Sequence, residues 1–175
     1  MTEGGGTRVR DARPDDAARC AAIYEPYGRD TAISFETEPP TADEMAGRIA
    51  AAQRRHAWLV LEDEGTVTGY AYGGPFMARS AYSWSAAVSV YLEQGRRRTG
   101  AGRALYGALF DRLAARGIRT VLAGIALPND ASTGLHRALG FEEVGTYRRV
   151  GWKHGRWHDV AWYQRDLVDD WSPPS

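Results

Sequence analysis

The stretch Arg96-Arg97-Arg98-Thr99-Gly100-Ala101-Gly102 limits what this chain can fold into more than any other, because it joins a strand-like run to a helical one. Before it stand Ala87-Val88-Ser89-Val90-Tyr91; after it Leu105, Ala108, Leu109 and Leu113 recur at helical spacing. A strand that turns through glycines into a helix leaves the first amides of that helix without intrahelical acceptors, and the peptide dipoles add partial positive charge there. Such a turn suits an anion, most often a phosphate. Two phosphate loops are excluded. A Walker loop needs lysine and a hydroxyl after its last glycine, but Arg103 and Ala104 follow Gly102. The dinucleotide fingerprint needs a third glycine where Leu105 stands. What fits is an arginine, two residues, a glycine, one residue and a glycine, met by Arg97, Gly100 and Gly102.

Around this turn the chain reads as one α/β domain built on a mixed central sheet flanked by helices. Its 175 residues are 43% hydrophobic, enough for one sizeable core. Residues 1–6 form a glycine-rich leader expected to be flexible, 7–167 the domain, and 168–175 a loose tail. Arg8 to Ala12 is a candidate strand, and Pro14 with Asp15 and Asp16 opens a helix expected to stop near Pro26. Thr41 and Glu44 form a capping box for the next helix. Trp58 to Glu62 and Val67 to Tyr72 make a hairpin around Asp63-Glu64-Gly65. Ser83 to Tyr91 is the central strand, residues 102–115 a helix, Thr120 to Ile125 a strand and residues 131–139 a helix. Val144 to Arg149 and Val160 to Asp166 are the last strands, with residues 151–158 as their link.

Twenty-two basic residues balance twenty-two acidic ones, so no net field favours nucleic acid or an anionic membrane. The apolar runs are too short to cross a bilayer and the N-terminus lacks a signal-peptide core, which points to a cytoplasmic protein. The single cysteine, Cys20, excludes an internal disulfide and reads as a small core residue. His154 and His158 stand four apart, yet Gly155 argues against a helix and no third ligand is evident, so no metal site is expected.

Several spaced segments carry a resemblance: Phe35-Glu36-Thr37-Glu38-Pro39, the run from Gly74 to Tyr82, the run from Arg98 to Gly102, Leu127-Pro128-Asn129-Asp130, the run from His136 to Phe141, and Lys153-His154-Gly155-Arg156-Trp157-His158-Asp159-Val160. Over residues 7–167 the chain resembles the GNAT superfamily of acetyl-coenzyme A dependent N-acetyltransferases, and within it the phosphinothricin and methionine sulfone or sulfoximine enzymes. The resemblance implies a GNAT fold and direct transfer of acetyl from acetyl-CoA to the primary amine of a small amino-acid-like acceptor. It implies that amides from Arg97 through Gly100, Ala101 and Gly102, with the side chains of Arg97, Arg98 and Arg103, hold the pyrophosphate. Val88 and Val90 would pair with the pantetheine arm as an added strand, one amide polarising the thioester carbonyl. Asn129 would bind the pantetheine or the reacting end; as a residue before a helix it can also be the N-cap, or both. His136 takes the place of the group that protonates the leaving thiolate; a helical histidine can equally be hydrogen-bonded structure. Arg79 and Tyr82, with Phe35 as a wall, would bind the acceptor's acidic group, Arg79 being otherwise a solvated cation. Related enzymes are homodimers.

Two departures stand out. Ala87 occupies the position of the family's general-base glutamate, and no acid lies between Ser83 and Leu92. Proton removal then falls to water, to His136, or to an acid of the acceptor loop such as Glu36 or Glu38, or the chain is an acyl-CoA-binding module with weak or lost chemistry. Acetylation of peptide N-termini is a further alternative. Met77 replaces a lysine of the acceptor loop, so doubly anionic phosphinothricin is not expected to be the preferred acceptor.

Overall fold

The computed structural model describes residues 6–96 and 99–174. In chain order the elements are β1 (Arg8–Asp11), α1 (Ala17–Asp30), α2 (Ala42–Arg55), β2 (Ala57–Asp63), β3 (Thr66–Pro75), β4 (Ser85–Leu92), α3 (Ala101–Ala115), β5 (Thr120–Ala126), α4 (Asp130–Ala138), β6 (Glu142–Lys153) and β7 (Arg156–Asp166). The strands form one mixed seven-stranded sheet in the order β1-β2-β3-β4-β5-β7-β6. Every neighbouring pair is antiparallel except β4 and β5.

That parallel pair is short. Ser85, Ala86 and Ala87 register with Thr120, Val121 and Leu122, and then the strands part. On its other edge β4 stays paired with β3 as far as Leu92. From Val88 onward the edge of β4 that faces β5 therefore has no strand partner among the described residues, in the middle of the sheet.

The two faces bury separate cores. Ala86 and Val88 of β4 pack with Leu105, Tyr106, Leu109 and Leu113 of α3. On the other face α1 and α2 cover Trp58, Val60 and Tyr70, with Tyr72 and Tyr91 packed alongside. Strand alternation thus turns Ala87 and Ser89 toward the α1 and α2 side. Cys20 is fully buried there and burial pushes its thiol up to about 12, the signature of a core residue.

Three expectations need correction. Helix α1 does not stop at Pro26 but runs on to Asp30. Proline removes one backbone bond, but Tyr24 and Tyr27 on either side of it pack edge-on against Tyr91, at ring distances of 5.0 and 5.2 Å. Residues 151–158 are not a link: β6 and β7 continue as paired strands to Lys153 and Arg156. His154 and Gly155 both have positive φ, 51° and 73°, as a two-residue hairpin turn requires. The first hairpin uses the same device at Glu64 and Gly65. Strand β3 runs through Pro75, so the connection after it is shorter than its composition suggests. In the tail, the Arg119 guanidinium donates to the carbonyls of Asp170 and Ser172 at 2.9 and 2.6 Å.

Candidate active site

The parting of β4 and β5 opens a small cavity of about 50 Å³ lined by Val88, Val90, Tyr106, Asn129 and His136 among others. Four residues expected to act on the cosubstrate thus meet at one place. Helix α4 starts beside it because the Asn129 side chain accepts from the Ser132 amide at 3.2 Å, so Asn129 is an N-cap.

His136 is buried, and both ring nitrogens are engaged. Nδ1 lies 2.7 Å from the Ser132 carbonyl oxygen and Nε2 lies 3.0 Å from the Tyr106 hydroxyl. A carbonyl only accepts, so Nδ1 carries the proton in the neutral ring and Nε2 accepts from Tyr106. Burial pushes the imidazole below its ordinary range, opposed by the Ser132 bond. The sequence does not single out Tyr106, although its hydroxyl is a polar group on the buried side of α3 that reaches the cavity; burial pushes that hydroxyl well up.

The glycine turn divides its labour. Gly100 precedes α3 with φ +78°, a conformation costly to any residue with a Cβ. The first intrahelical bond, Ala104 N–H to Gly100 oxygen at 3.0 Å, leaves the amides of Ala101, Gly102 and Arg103 ahead of it at the helix start. Gly102 serves packing instead: a Cβ there would come within 3.0 Å of Leu135 on α4. The Arg103 side chain is exposed. Arg97 and Arg98 lie outside the described residues. Arg96 is tied to Glu93 at 2.9 Å and Asp63 at 3.1 Å.

A larger cavity of about 940 Å³ is bounded by α2, the end of β3, the connection to β4 and Arg116 and Ile118 after α3. Arg79, Tyr82 and Met77 line it, together with Tyr72, Gly74 and Arg48. Gly74 registers with Ala87, so the position without a carboxylate sits at its edge. Phe35 is not among the lining residues. It lies across Gly151 of β6, where a Cβ would fall 2.2 Å from its ring, and tilts toward His158 at 6.0 Å.

The loop that carries Phe35 is held by Lys153, which is 6% exposed. Its ammonium donates to the carbonyls of Gly28, Ser34 and Glu36 at 2.6, 2.7 and 2.7 Å. Three tetrahedral N–H groups meet three acceptors at the junction of α1 and the loop. Glu36 in turn accepts from Arg48 at 2.7 Å through one oxygen, while its other oxygen is buried without a hydrogen-bond partner among the described residues. The His158 Nε2–H donates to the Lys153 carbonyl at 2.9 Å, and His154 is exposed in the turn. Among the described residues no three His, Cys, Asp or Glu side chains converge as metal ligands.

The sheet splits beside the N-terminus of α3, leaving a free edge of β4 next to helix amides that have no intrahelical acceptor. The chain belongs to the acetyltransferase (GNAT) domain family, matched over residues 9–162. It is 43% identical over 159 residues to a phosphinothricin N-acetyltransferase of Streptomyces viridochromogenes, covering 91% of this chain and 87% of that one. It is 38% identical to an L-methionine sulfoximine/L-methionine sulfone acetyltransferase of Pseudomonas paraeruginosa, covering 95% and 98%. The solved structure of a phosphinothricin acetyltransferase from Sinorhizobium meliloti in complex with acetyl-CoA superposes with a TM-score of 0.92 at 37% identity, covering 97% and 93%.

Proposed function

We propose that this chain moves acetyl from acetyl-CoA directly to the primary amine of a small amino-acid-like acceptor. The parting of β4 from β5 after Ala87 and Leu122 carries the reading, since it leaves a strand edge free beside the start of α3. Val88 and Val90 offer that edge to the pantetheine arm, and the amides of Ala101, Gly102 and Arg103 lie where a pyrophosphate is best held. Asn129 keeps its cap and turns toward the same cavity. His136 exchanges a proton at the thiol end through Nε2, the nitrogen shared with Tyr106, because Nδ1 is committed to the Ser132 carbonyl. Acetyl-CoA, when bound, supplies the activated thioester.

Arg79 and Tyr82 bind the acceptor's acidic group from the large cavity, with Phe35 and Glu36 on the loop above. With alanine at position 87, the amine sheds its proton before attack; an α-amino group of pKa near 8 is roughly one-tenth neutral at pH 7. The same alanine supports the second reading, an acyl-CoA-binding module with weak chemistry. Coenzyme A release across phosphinothricin, methionine sulfone, acidic amino acids and short peptides separates the two, because a binder is protected against heat by acetyl-CoA yet turns over none of them. Ala87→Glu raises the neutral-pH rate only if proton loss limits the reaction.

A homodimer and a cytoplasmic location complete the proposal. Val144, Tyr147, Val150, Trp152 and Trp157 of the β6–β7 hairpin are each more than half exposed, and this patch supports an interface between copies. Among the described residues no helix is long and apolar enough to cross a membrane.

A further inference from the structure

We propose that Glu36 takes the proton of the acceptor amine, its free carboxylate oxygen standing in for the side chain that Ala87 lacks. This role rests on the acetyl-transfer reading and names the base that the central strand does not supply.

The two oxygens of the Glu36 carboxylate are treated differently. Oε1 accepts from Arg48 at 2.7 Å, while Oε2 is buried with no hydrogen-bond partner among the described residues. A carboxylate oxygen shut off from water is costly unless a donor reaches it, and an ammonium is such a donor. The backbone that carries it is fixed on both sides. The Glu36 amide donates to the Ser34 hydroxyl at 3.1 Å, and its carbonyl accepts from Lys153 at 2.7 Å. A base held in this way is positioned before the amine arrives. The side chain as a whole is 37% exposed, so solvent still reaches it and can take the proton away after each turnover.

The carboxylate stands between the two cavities. Its partner Arg48 and the nearby Tyr72 line the large one, while Ile33, on the same loop as Glu36, lines the small one with Ser89. Tyr72 and Ser89 are cross-strand partners, so this pair joins the acceptor cavity to the acyl one. Burial above all, with the Glu36 charge among the smaller causes, raises the phenols of Tyr24, Tyr72 and Tyr91, which sets the carboxylate among these three rings. With Arg48 of α2 and Lys153 of β6 they are the titratable and charged groups around it. Gly74 and Ala87 form the next pair but one on the same face, about 7 Å along the strands. A Cβ at Gly74 would meet nothing within 4 Å among the described residues, so an amine can stand over this pair within reach of Oε2. The other candidate groups stand elsewhere: Glu38 is exposed, and His136 bonds to Tyr106 on the α3 side of β4, opposite Ala87.

In the reaction, Oε2 takes one proton from the ammonium. The lone pair so freed forms the C–N bond to the thioester carbon, and the electron pair of the C–S bond leaves with sulfur. The second proton that nitrogen sheds on attack is matched by the one the thiolate takes at the His136 end, and Glu36 returns its own proton to water. The test compares the parent with Glu36→Gln, which keeps an oxygen for Arg48, in steady-state coenzyme A release from acetyl-CoA with phosphinothricin, methionine sulfone and glutamate as amines. At neutral pH the variant's kcat/KM for the amine should fall about 100-fold, with the acetyl-CoA KM and the urea midpoint unchanged. Without a base only the neutral amine reacts, so the deficit should shrink about tenfold per pH unit up to an amine pKa near 8. Ala87→Glu in the Glu36→Gln background should recover most of the rate, because it restores a carboxylate at the open pair. A deficit that stays the same from about pH 6 to about pH 8, as a merely structural loop would give, or a variant within about twofold of the parent, overturns the role. A parent that turns over no amine, though acetyl-CoA protects it against heat, sinks the acetyl-transfer reading and this role together; turnover indifferent to Glu36 sinks this role alone.

Discussion

Replacing Lys153 by methionine tests how the acceptor half of the site is held. The ammonium donates to three carbonyls of one short segment, at 2.6, 2.7 and 2.7 Å. Hydrogen bonds to a charged group are worth about 1.5–3 kcal/mol each, but the sum is an upper bound, because methionine also removes the cost of burying a charge, itself several kcal/mol. What remains is dominated by carbonyls left without donors, about 1–3 kcal/mol each and relieved in part by water entering at the exposed loop. A net loss of about 2–4 kcal/mol is expected, read by urea unfolding, or on the order of 5–15 °C in Tm for a chain of this size. The functional signature is sharper than the stability one. Lys153 lines neither cavity, but the loop it holds brings Glu36 to Arg48 of the large one and Ile33 to the small one, so Lys153→Met should raise the acceptor KM more than the acetyl-CoA KM. Lys153→Arg should recover little, since a planar fork cannot place donors on three carbonyls that converge on one point. A variant within about 0.5 kcal/mol of the parent, with both KM values unchanged, would refute the reasoning.

The remaining predictions concern neighbouring parts. Gly151→Ala places a Cβ 2.2 Å from the Phe35 ring, so the ring must swing away; acceptor KM should rise about tenfold in steady-state kinetics with acetyl-CoA KM unaffected. His136 has a depressed folded pKa, so the unfolded chain binds its proton more readily. The stability it contributes is complete above the unfolded pKa of about 6.5 and is lost as pH falls below it. Tm measured downward from neutral pH should fall more steeply for the parent than for His136→Asn, and equal slopes would count against a neutral buried ring. Trp152→Glu with Trp157→Glu should shift a dimer toward monomer in sedimentation, whereas an unchanged molecular weight would remove the hairpin face from the interface.

Much of the fold was legible because it rests on local chemistry. Thr41 and Glu44 cap each other as their spacing requires, at 3.2 and 2.8 Å. Gly100 takes the left-handed conformation that a sharp entry into α3 demands. The errors came where tertiary packing overrode local preference. Pro26 reads as a stop, but the aromatic contacts of Tyr24 and Tyr27 carry α1 past it. The segment from Gly151 to His158 reads as a link because glycine and charge interrupt it. His154-Gly155 is in fact the two-residue turn that lets β6 and β7 pair to their tips.

The site was legible as a set of residues and only partly as a geometry. Val88, Val90, Asn129 and His136 converge on one cavity because β4 and β5 part after three paired positions, and no residue type marks where a parallel pair ends. The resemblance implies that Phe35 is a wall of the acceptor pocket. Its ring instead lies over Gly151, and that glycine is needed because the aromatic face occupies the space of a side chain. The Lys153-to-Val160 segment then acquires a physical reason: its lysine fixes the carbonyls of the acceptor loop, its glycine turn closes the hairpin, and His158 donates to the Lys153 carbonyl from the opposite strand at 2.9 Å. Residues distant from either cavity thereby set where Phe35 and Glu36 stand. Acceptor selectivity in this chain should accordingly respond to substitutions in β6 as strongly as to substitutions at Arg79 itself.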